Sequence, residues 1–527
     1  MREATKHAAL DPITIEVVRH KLDGIANEMQ STLLRSSFSP IVKEGLDASA
    51  SLFTPDGITL AQSCSIPIHL ATLIPAVAEI IKTFPLERMR EGDTFILNDP
   101  YCGGTHLPDI AVLLPIFHRE KLIALAGAMT HHQDVGGMAA GSVPTNATEI
   151  YQEGLRIPPL KLRDAGVFND TLVRMIRQNV RIPDTVMGDL NAQLAACTVA
   201  SRRLGEVAER YGHNQLAAIF DELLIRSEAM TRAALRAIPP GTYRFVDYLD
   251  NDGIELERQI RIEVAVTVKD GDIEFDFAGT SAQVKGPLNC VPSGSLVNPE
   301  APAPVNARTS TIKRITGCMI GALAPFLPGK VPAAAAGELL VMAFGGRSRG
   351  EAYVVGELVA SGSGASQGRD GVDVVETDAT NCMNLPAEAM EMEAPIRIHR
   401  VALREDSGGP GEFRGGLGVV REYEILAGEV AFSHRGERHF SAAAGAAGGG
   451  EGAMARSVIT RSDGSEVVIP SKIATTLAKG DRLLVETAGG GGYGNPKRRA
   501  REAVRADVAN GKVSPKAARE VYGREGL

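Results

Sequence analysis

Residues 95–117, FILNDPYCGGTHLPDIAVLLPIF, and 122–137, LIALAGAMTHHQDVGG, decide how the rest of this chain is read. In the first, Phe95-Ile96-Leu97 is a short apolar run, Asn98 to Gly104 is turn chemistry, and Ile110 to Phe117 is a second apolar run. In the second, Leu122 to Met129 is apolar and β-compatible, and it delivers His131, His132 and Asp134 before the Gly136-Gly137 break. Consecutive strands therefore carry His106 and Asp109, then His131, His132 and Asp134, on neighbouring loops of a chain with 11 histidines. Imidazole nitrogen and carboxylate oxygen together suit zinc, manganese or iron, and three or four such ligands leave a position for a reactive water. The competing reading has His106 capping the Gly103-Gly104 turn, one of His131 and His132 satisfied in the core, and both aspartates bonded to loop amides.

Upstream, Asp11-Pro12 opens a helix that runs to Arg35 with Ile13, Val17, Leu22, Ile25, Met29 and Leu33 at helical spacing. Alternating residues around Pro55-Asp56-Gly57 predict a hairpin, and Glu44 and Asp47 lie just before it. Taken alone these are loop acids; beside a His/Asp site, one could complete a coordination sphere. His69 reads as a packing or capping residue, and Leu73 to Phe84 as a helix.

Downstream, Glu153 and Arg156 flank a Pro-rich turn, and Val167 to Asn179 reads as helix. Arg174, Arg177 and Arg181 recur near helical spacing, a line of cations that could hold an anion or be a solvated, salt-bridged face. Two helices follow around Gly212, and Pro239-Pro240-Gly241 marks a boundary. Beyond it, Asn-Asp-Gly and Asp-Gly turns predict an antiparallel β-meander, then a helix over 309–323. The Gly/Ser-rich segment 351–371 lacks the G-x-x-x-x-G-K-[ST] pattern, so ATP binding by this chain alone is not expected. Strands dominate 373–486. The expected fold class is α+β and multidomain. Residues 1–238 form a mixed α/β domain carrying the metal site, 239–350 a β-meander plus helical segment, 351–496 a Gly-rich, mainly β domain, and 497–527 a helical C-terminal tail.

A chain of 527 residues is too long for one ordinary core, and 44% apolar with 23% charged residues is a soluble globular balance. A net charge of -8 gives no support for binding nucleic acid or an anionic membrane. Six cysteines without a C-x-x-C pair suggest neither a disulfide framework nor a thiolate zinc site, which points to a reducing cytoplasm. The N-terminal MREATKHAALDP has no apolar core like that of a signal peptide, and no apolar run is long enough to span a bilayer, so a soluble, unprocessed chain is expected. The 56 glycines fall in blocks between strand-like runs and predict tight turns and close backbone approaches in the second half.

The blocks DPITIEVVRHKL, NDPYCGGTHLPD, THHQDVGG, EGLRIPPLKL, DFAGTS with GPLNC, DSGGPGEFRGGLG and GGGGYGNP, in this order, resemble the hydantoinase B/oxoprolinase family. That resemblance covers nearly the whole chain. It implies a cytoplasmic hetero-oligomer in which an A-type subunit with an actin-like ATPase fold phosphorylates the carbonyl oxygen of a cyclic amide, and the B-type subunit completes hydrolysis. ATP would enter through the partner. In relatives a divalent metal is held by residues that match His106, Asp109 and His131, with the adjacent His132 as the alternative; Asp47 fits a further carboxylate ligand. From the chemistry of that step, Asp134 or Glu44 is expected as the base or orienting group, and Arg156 or Arg177 as the holder of the phosphorylated intermediate. Two other readings stand beside it: a subunit of an ATP-dependent ketone carboxylase, and a non-catalytic scaffold for the ATPase.

Overall fold

The computed structural model describes residues 10–291 and 298–524, so the first nine residues of the N-terminal stretch and the last three of the tail lie outside it. The chain divides into two compact units. One comprises residues up to 135 with 154–240 and 268–273; the other comprises 136–153, 241–267 and 274 onward. Helices and strands are both abundant and several separate sheets occur, which makes the chain a multidomain α+β protein. No helix among the described residues is long and apolar enough to cross a membrane.

The first unit opens with α1 (Pro12–Ser36), capped by the Asp11 carboxylate, which accepts from Ile13 N and Thr14 N, with proline at the first helical position. Its buried stripe is Ile15, Val18, Leu22, Ile25, Met29 and Leu33. The expected stripe was out of phase in the first turns: Ile13 and Val17 are 74% and 39% exposed, because the i, i+3, i+4 series that continues to Leu22 starts from Ile15.

Seven antiparallel strands follow, β1 (Ala48–Phe53), β2 (Thr59–Gln62), β3 (Thr94–Leu97), β4 (Asp109–His118), β5 (Lys121–His131), β6 (Leu160–Asp164) and β7 (Val167–Phe168), in the order β2-β1-β5-β4-β3-β6-β7. One face packs on α2 (Pro67–Thr83) through Phe53, Leu73, Val77, Ile80, Phe95, Leu113, Leu125 and Met129. Against the same sheet lies α4 (Pro183–Tyr211), which follows α3 (Asp170–Asn179) and precedes α5 (His213–Arg236). Strands covered on both sides have no solvent face to alternate towards, which is why β5 is buried at nearly every position and reads as a continuous apolar run.

Two boundaries differ from expectation. Helix α2 begins at Pro67, whose missing N–H costs nothing at a first position, rather than at Leu73. Val167 and Phe168 form strand β7, and Asn169 then caps α3 by accepting from Leu172 N.

Strands β8 (Gly241–Leu249), β9 (Ile260–Lys269) and β10 (Asp272–Asp276) form the three-stranded meander, which apart from residues 268–273 belongs to the second unit, and α6 (Arg308–Leu323) follows. Strands β11 (Leu340–Ser348), β12 (Glu351–Val359), β15 (Glu429–Arg435) and β18 (Lys472–Ala478) form a four-stranded sheet. Strands β13 (Ile396–Leu403), β14 (Val419–Ile425), β16 (Arg456–Thr460), β17 (Glu466–Ile469) and β19 (Arg482–Glu486) form a five-stranded one. A shared core of Met342, Phe344, Val355, Tyr423, Phe432, Leu483 and Val485 lies between them. Between β12 and β13 comes α7 (Ala387–Glu393); α8 (Arg501–Ala509) and α9 (Pro515–Glu520) end the chain.

The glycine blocks are packed backbone to backbone rather than left as loops. Along 489–494, successive N–H groups donate to the carbonyls of Ala453, Gly416, Ala334, Gly450, Phe413 and Ala446. Residues 489 and 492 thus turn to one neighbouring stretch and 490 and 493 to a second, so the segment is bonded by its backbone on several sides. Only glycine fits such spacing: a Cβ on Gly490 would collide with the Ser363 carbonyl oxygen, and one on Gly415 with that of Gly490.

Candidate metal centre

Three adjacent strands of the first unit end side by side. Asp109, the first residue of β4, is the register partner of His131, the last of β5, and His131 N donates to the carbonyl of Asp47, just ahead of β1 (3.0 Å). His106 precedes Asp109 in a turn closed by Asp109 N to His106 O (3.1 Å). The donor atoms of His106, Asp109 and His131 all lie within 4.8 Å of one another, and all three residues are buried. His106 Nε2 stands 3.1 Å from Asp109 Oδ1, and the two imidazole rings are 5.0 Å apart. Thr105 Oγ1 donates to the other oxygen, Asp109 Oδ2 (2.5 Å), fixing the carboxylate's rotation.

The loop that presents His106 is held from both ends. Asp99 caps its first turn by accepting from Tyr101 N, and Gly103 takes a φ of 88°, where a Cβ would also strike the Pro75 carbonyl. Asn98 is the fastener: its amide donates to Leu107 O (2.7 Å) and Leu155 O (2.9 Å), and its carbonyl accepts from Ile157 N (2.6 Å). No spacing argument singled out Asn98, although a lone Asn at a strand end is a standard turn-forming residue.

His69 is the larger revision. The sequence alone suggests a packing or capping residue, yet the earlier start of α2 places it in the helix's first turn. There its Nε2 stands 3.5 Å from Asp47 Oδ1 and 3.4 Å from Asp109 Oδ1. The signal that could have located it is Pro67, a helix-starting proline two residues earlier.

His132 points the other way, as successive residues of an extended strand must. It is buried against α4 with Nε2 3.1 Å from Gln193 Oε1, while Gln193 Nε2 donates to the carbonyls of Ile110 and Ala128. Burial lowers the His132 pKa, favouring the neutral ring.

The remaining expected site residues differ in their surroundings. Asp134, fully buried, has Oδ2 on Arg181 N (2.7 Å) and Oδ1 on Arg181 Nη1 (2.8 Å). Glu44 follows the helical turn Pro40–Lys43 and is half-buried. Arg156 donates to Asp99 Oδ2 (2.8 Å) from a largely buried position. Arg177 pairs with Asp184 (2.7 Å) on an exposed face, and Arg174 pairs with Asp170. The three arginines of that line therefore meet three different aspartates and do not converge on one anion. Glu153 belongs to the second unit, where its Oε1 accepts from Val305 N and Asn306 N ahead of α6, and burial pushes its pKa up to about 8.

The family model described as hydantoinase B/oxoprolinase matches residues 11–293 and 291–496. Caprolactamase subunit beta of Pseudomonas jessenii is 34% identical, over 98% of this chain and 96% of that one. 5-Oxoprolinase 1 of Arabidopsis thaliana is 30% identical over 92% of this chain and 42% of that longer protein. The crystal structure of the ATP-dependent caprolactamase from Pseudomonas jessenii superimposes with a TM-score of 0.87 at 30% identity, covering 98% of this chain and 97% of that one. Nucleotide-free acetone carboxylase gives 0.89 at 22% identity, covering 98% and 80%, a likeness of fold.

Proposed function

This chain belongs to the hydantoinase B/oxoprolinase family, and we propose from that membership that it is the hydrolytic B-type subunit of an ATP-dependent cyclic-amide hydrolase. Its partner in this reading is an A-type ATPase subunit in the cytoplasm, which binds ATP and phosphorylates the carbonyl oxygen of a hydantoin, 5-oxoproline or similar lactam. The observation that carries the reading is the buried convergence of His106, Asp109 and His131 at the ends of paired strands.

The donor set fits a divalent ion of the zinc, manganese or iron class: two imidazoles and a buried carboxylate, with the Asp47 carboxylate just ahead of the adjoining strand. In this reading His106, Asp109, His131 and Asp47 hold the ion. When bound, such an ion supplies Lewis acidity and lowers the pKa of water towards ~7 in favourable sites. Thr105 and His69 orient the carboxylates that hold it. Of the two acids considered as proton acceptor, Glu44 takes that role, because both oxygens of Asp134 already serve Arg181. Arg156 is the better placed of the two arginines to hold the phosphorylated intermediate, since Arg177 is turned to solvent with Asp184. A resonance-stabilised amide is a poor electrophile, and O-phosphorylation turns its oxygen into a leaving group, so the division of labour follows from the chemistry of the substrate.

Metal analysis of the purified protein beside His106→Ala and Asp109→Ala tests the centre. Near-stoichiometric metal that disappears from both variants is expected. Equal metal in all three, or none in the wild type, would sink the ligand assignment and leave the scaffold reading in front.

A further inference from the structure

Helix α4 lies over the seam between β4 and β5, the two strands that carry Asp109 and His131 at their paired ends. Two of its side chains, one turn apart, straddle that seam. Cys197 Sγ reaches Val112 O at 4.0 Å and Ala126 O at 3.9 Å, while Gln193 Nε2 donates to Ile110 O (2.7 Å) and Ala128 O (3.0 Å). Gln193 is the one nearer the metal donors, because Ile110 directly follows Asp109. It is fully buried.

The contact is directional. A glutamine amide nitrogen has two hydrogens, and the two strand carbonyls take both. Turned the other way, the amide would set its oxygen against two carbonyl oxygens. The Gln193 oxygen therefore faces His132 Nε2 at 3.1 Å, and the ring donates from that nitrogen. One side chain thus ties β4 to β5 and holds the His132 ring against α4. Alternation along an extended chain then directs His131, the residue before, to the opposite side, where its donor atom meets those of His106 and Asp109. The helix is itself anchored one turn earlier. Asp189 Oδ1 accepts from Phe38 N (2.7 Å) and Ser39 N (3.1 Å), and the Phe38 ring fills the space that a Cβ on Gly188 would need.

We propose that Gln193 is a positioning residue of the metal centre, fixing the ends of β4 and β5 against each other and, through His132, the direction of His131. The inference rests on the reading of His106, Asp109 and His131 as metal ligands. Glutamine supplies a pair of donors and an acceptor from one rigid group. Glutamate would bring oxygens to two carbonyls, and methionine would keep the volume and lose all three bonds.

The test is cobalt(II) binding by the full-length, metal-stripped protein, read as Kd in competition with a chromophoric chelator and as the visible d–d spectrum of the bound ion. Gln193→Met should raise Kd about tenfold or more and shift the spectrum. His132→Leu should do the same, and His132→Gln, which offers an N–H to the Gln193 oxygen, should stay near the wild type. Cys197→Ala is the control for packing on the same seam, further from the centre. It should lower the urea midpoint and leave Kd and spectrum unchanged. Wild-type Kd and spectrum in Gln193→Met and His132→Leu, or equal changes in Cys197→Ala, overturns the positioning role and leaves the metal centre standing. If Gln193→Met does not fold, the two His132 variants decide on the same terms. Cobalt binding that survives His106→Ala unchanged overturns the ligand reading and this inference with it.

Discussion

His69 bridges two carboxylates that like charge would otherwise drive apart, Asp47 on one side and Asp109 on the other. Residues in that position usually tune affinity rather than create it. His69→Ala should therefore bind metal about 10–100-fold more weakly in competition with a chromophoric chelator, with His69→Gln less affected and stoichiometry at saturation unchanged. Unaltered affinity in both variants would reduce His69 to a packing residue. The loops that bring His106, Asp109 and His131 together were legible in the sequence as two His/Asp-bearing turns on consecutive strands, but spacing left His131 and His132 both open and only the family resemblance singled out His131. His69 was not legible, since it reaches the centre from a helix on a different part of the chain and only the sheet's strand order brings Asp47 beside it. The roles expected of Asp134 and Arg177 met a different obstacle: spacing displays a charged group but not the partner that engages it, here Arg181 and Asp184.

At the scale of elements, helix and strand type were readable wherever a period ran long enough, as in α4 and α5 on either side of Gly212. Boundaries were lost where a single residue carried the instruction, as at Pro67 and Asn169. The approach to α6 shows a dependence that no period reveals. Glu153 accepts the two N–H groups of Val305 and Asn306 from a fully buried position, with burial pushing its pKa from 4.5 to about 8. The native state then holds a proton that the unfolded chain releases, so this group's contribution to stability falls as pH rises from about 4.5 to 8. Glu153→Gln keeps a carbonyl oxygen for both donors and removes the titration. Urea midpoints measured near pH 5 and near pH 9 should therefore fall less for the variant than for the wild type; an equal fall in the two would show that Glu153 does not titrate in that window.

At the scale of the whole molecule, the glycine count announced close backbone approaches, but which blocks meet could not be read from a sequence whose blocks look alike. The structure makes the consequence measurable. Gly490→Ala should destabilise the chain by about 3 kcal/mol or more, because the colliding atom is a backbone oxygen with no rotamer to yield. Gly205→Ala, in α4 with open space around it, should instead gain about 0.5–1 kcal/mol. Equal unfolding midpoints for the two variants would refute the distinction.

The stretch 489–494 is the hub of that backbone lattice, and it is made after every segment whose carbonyls it bonds. On the ribosome the carbonyls of Ala334, Phe413, Gly416, Gly450 and Ala453 emerge before the amides that bond them exist. Bonds between segments so distant in the chain form slowly. That lattice is therefore completed only once this stretch has been made, and a chain interrupted anywhere before it leaves those carbonyls without these donors, exposed to the cell's proteases and chaperones.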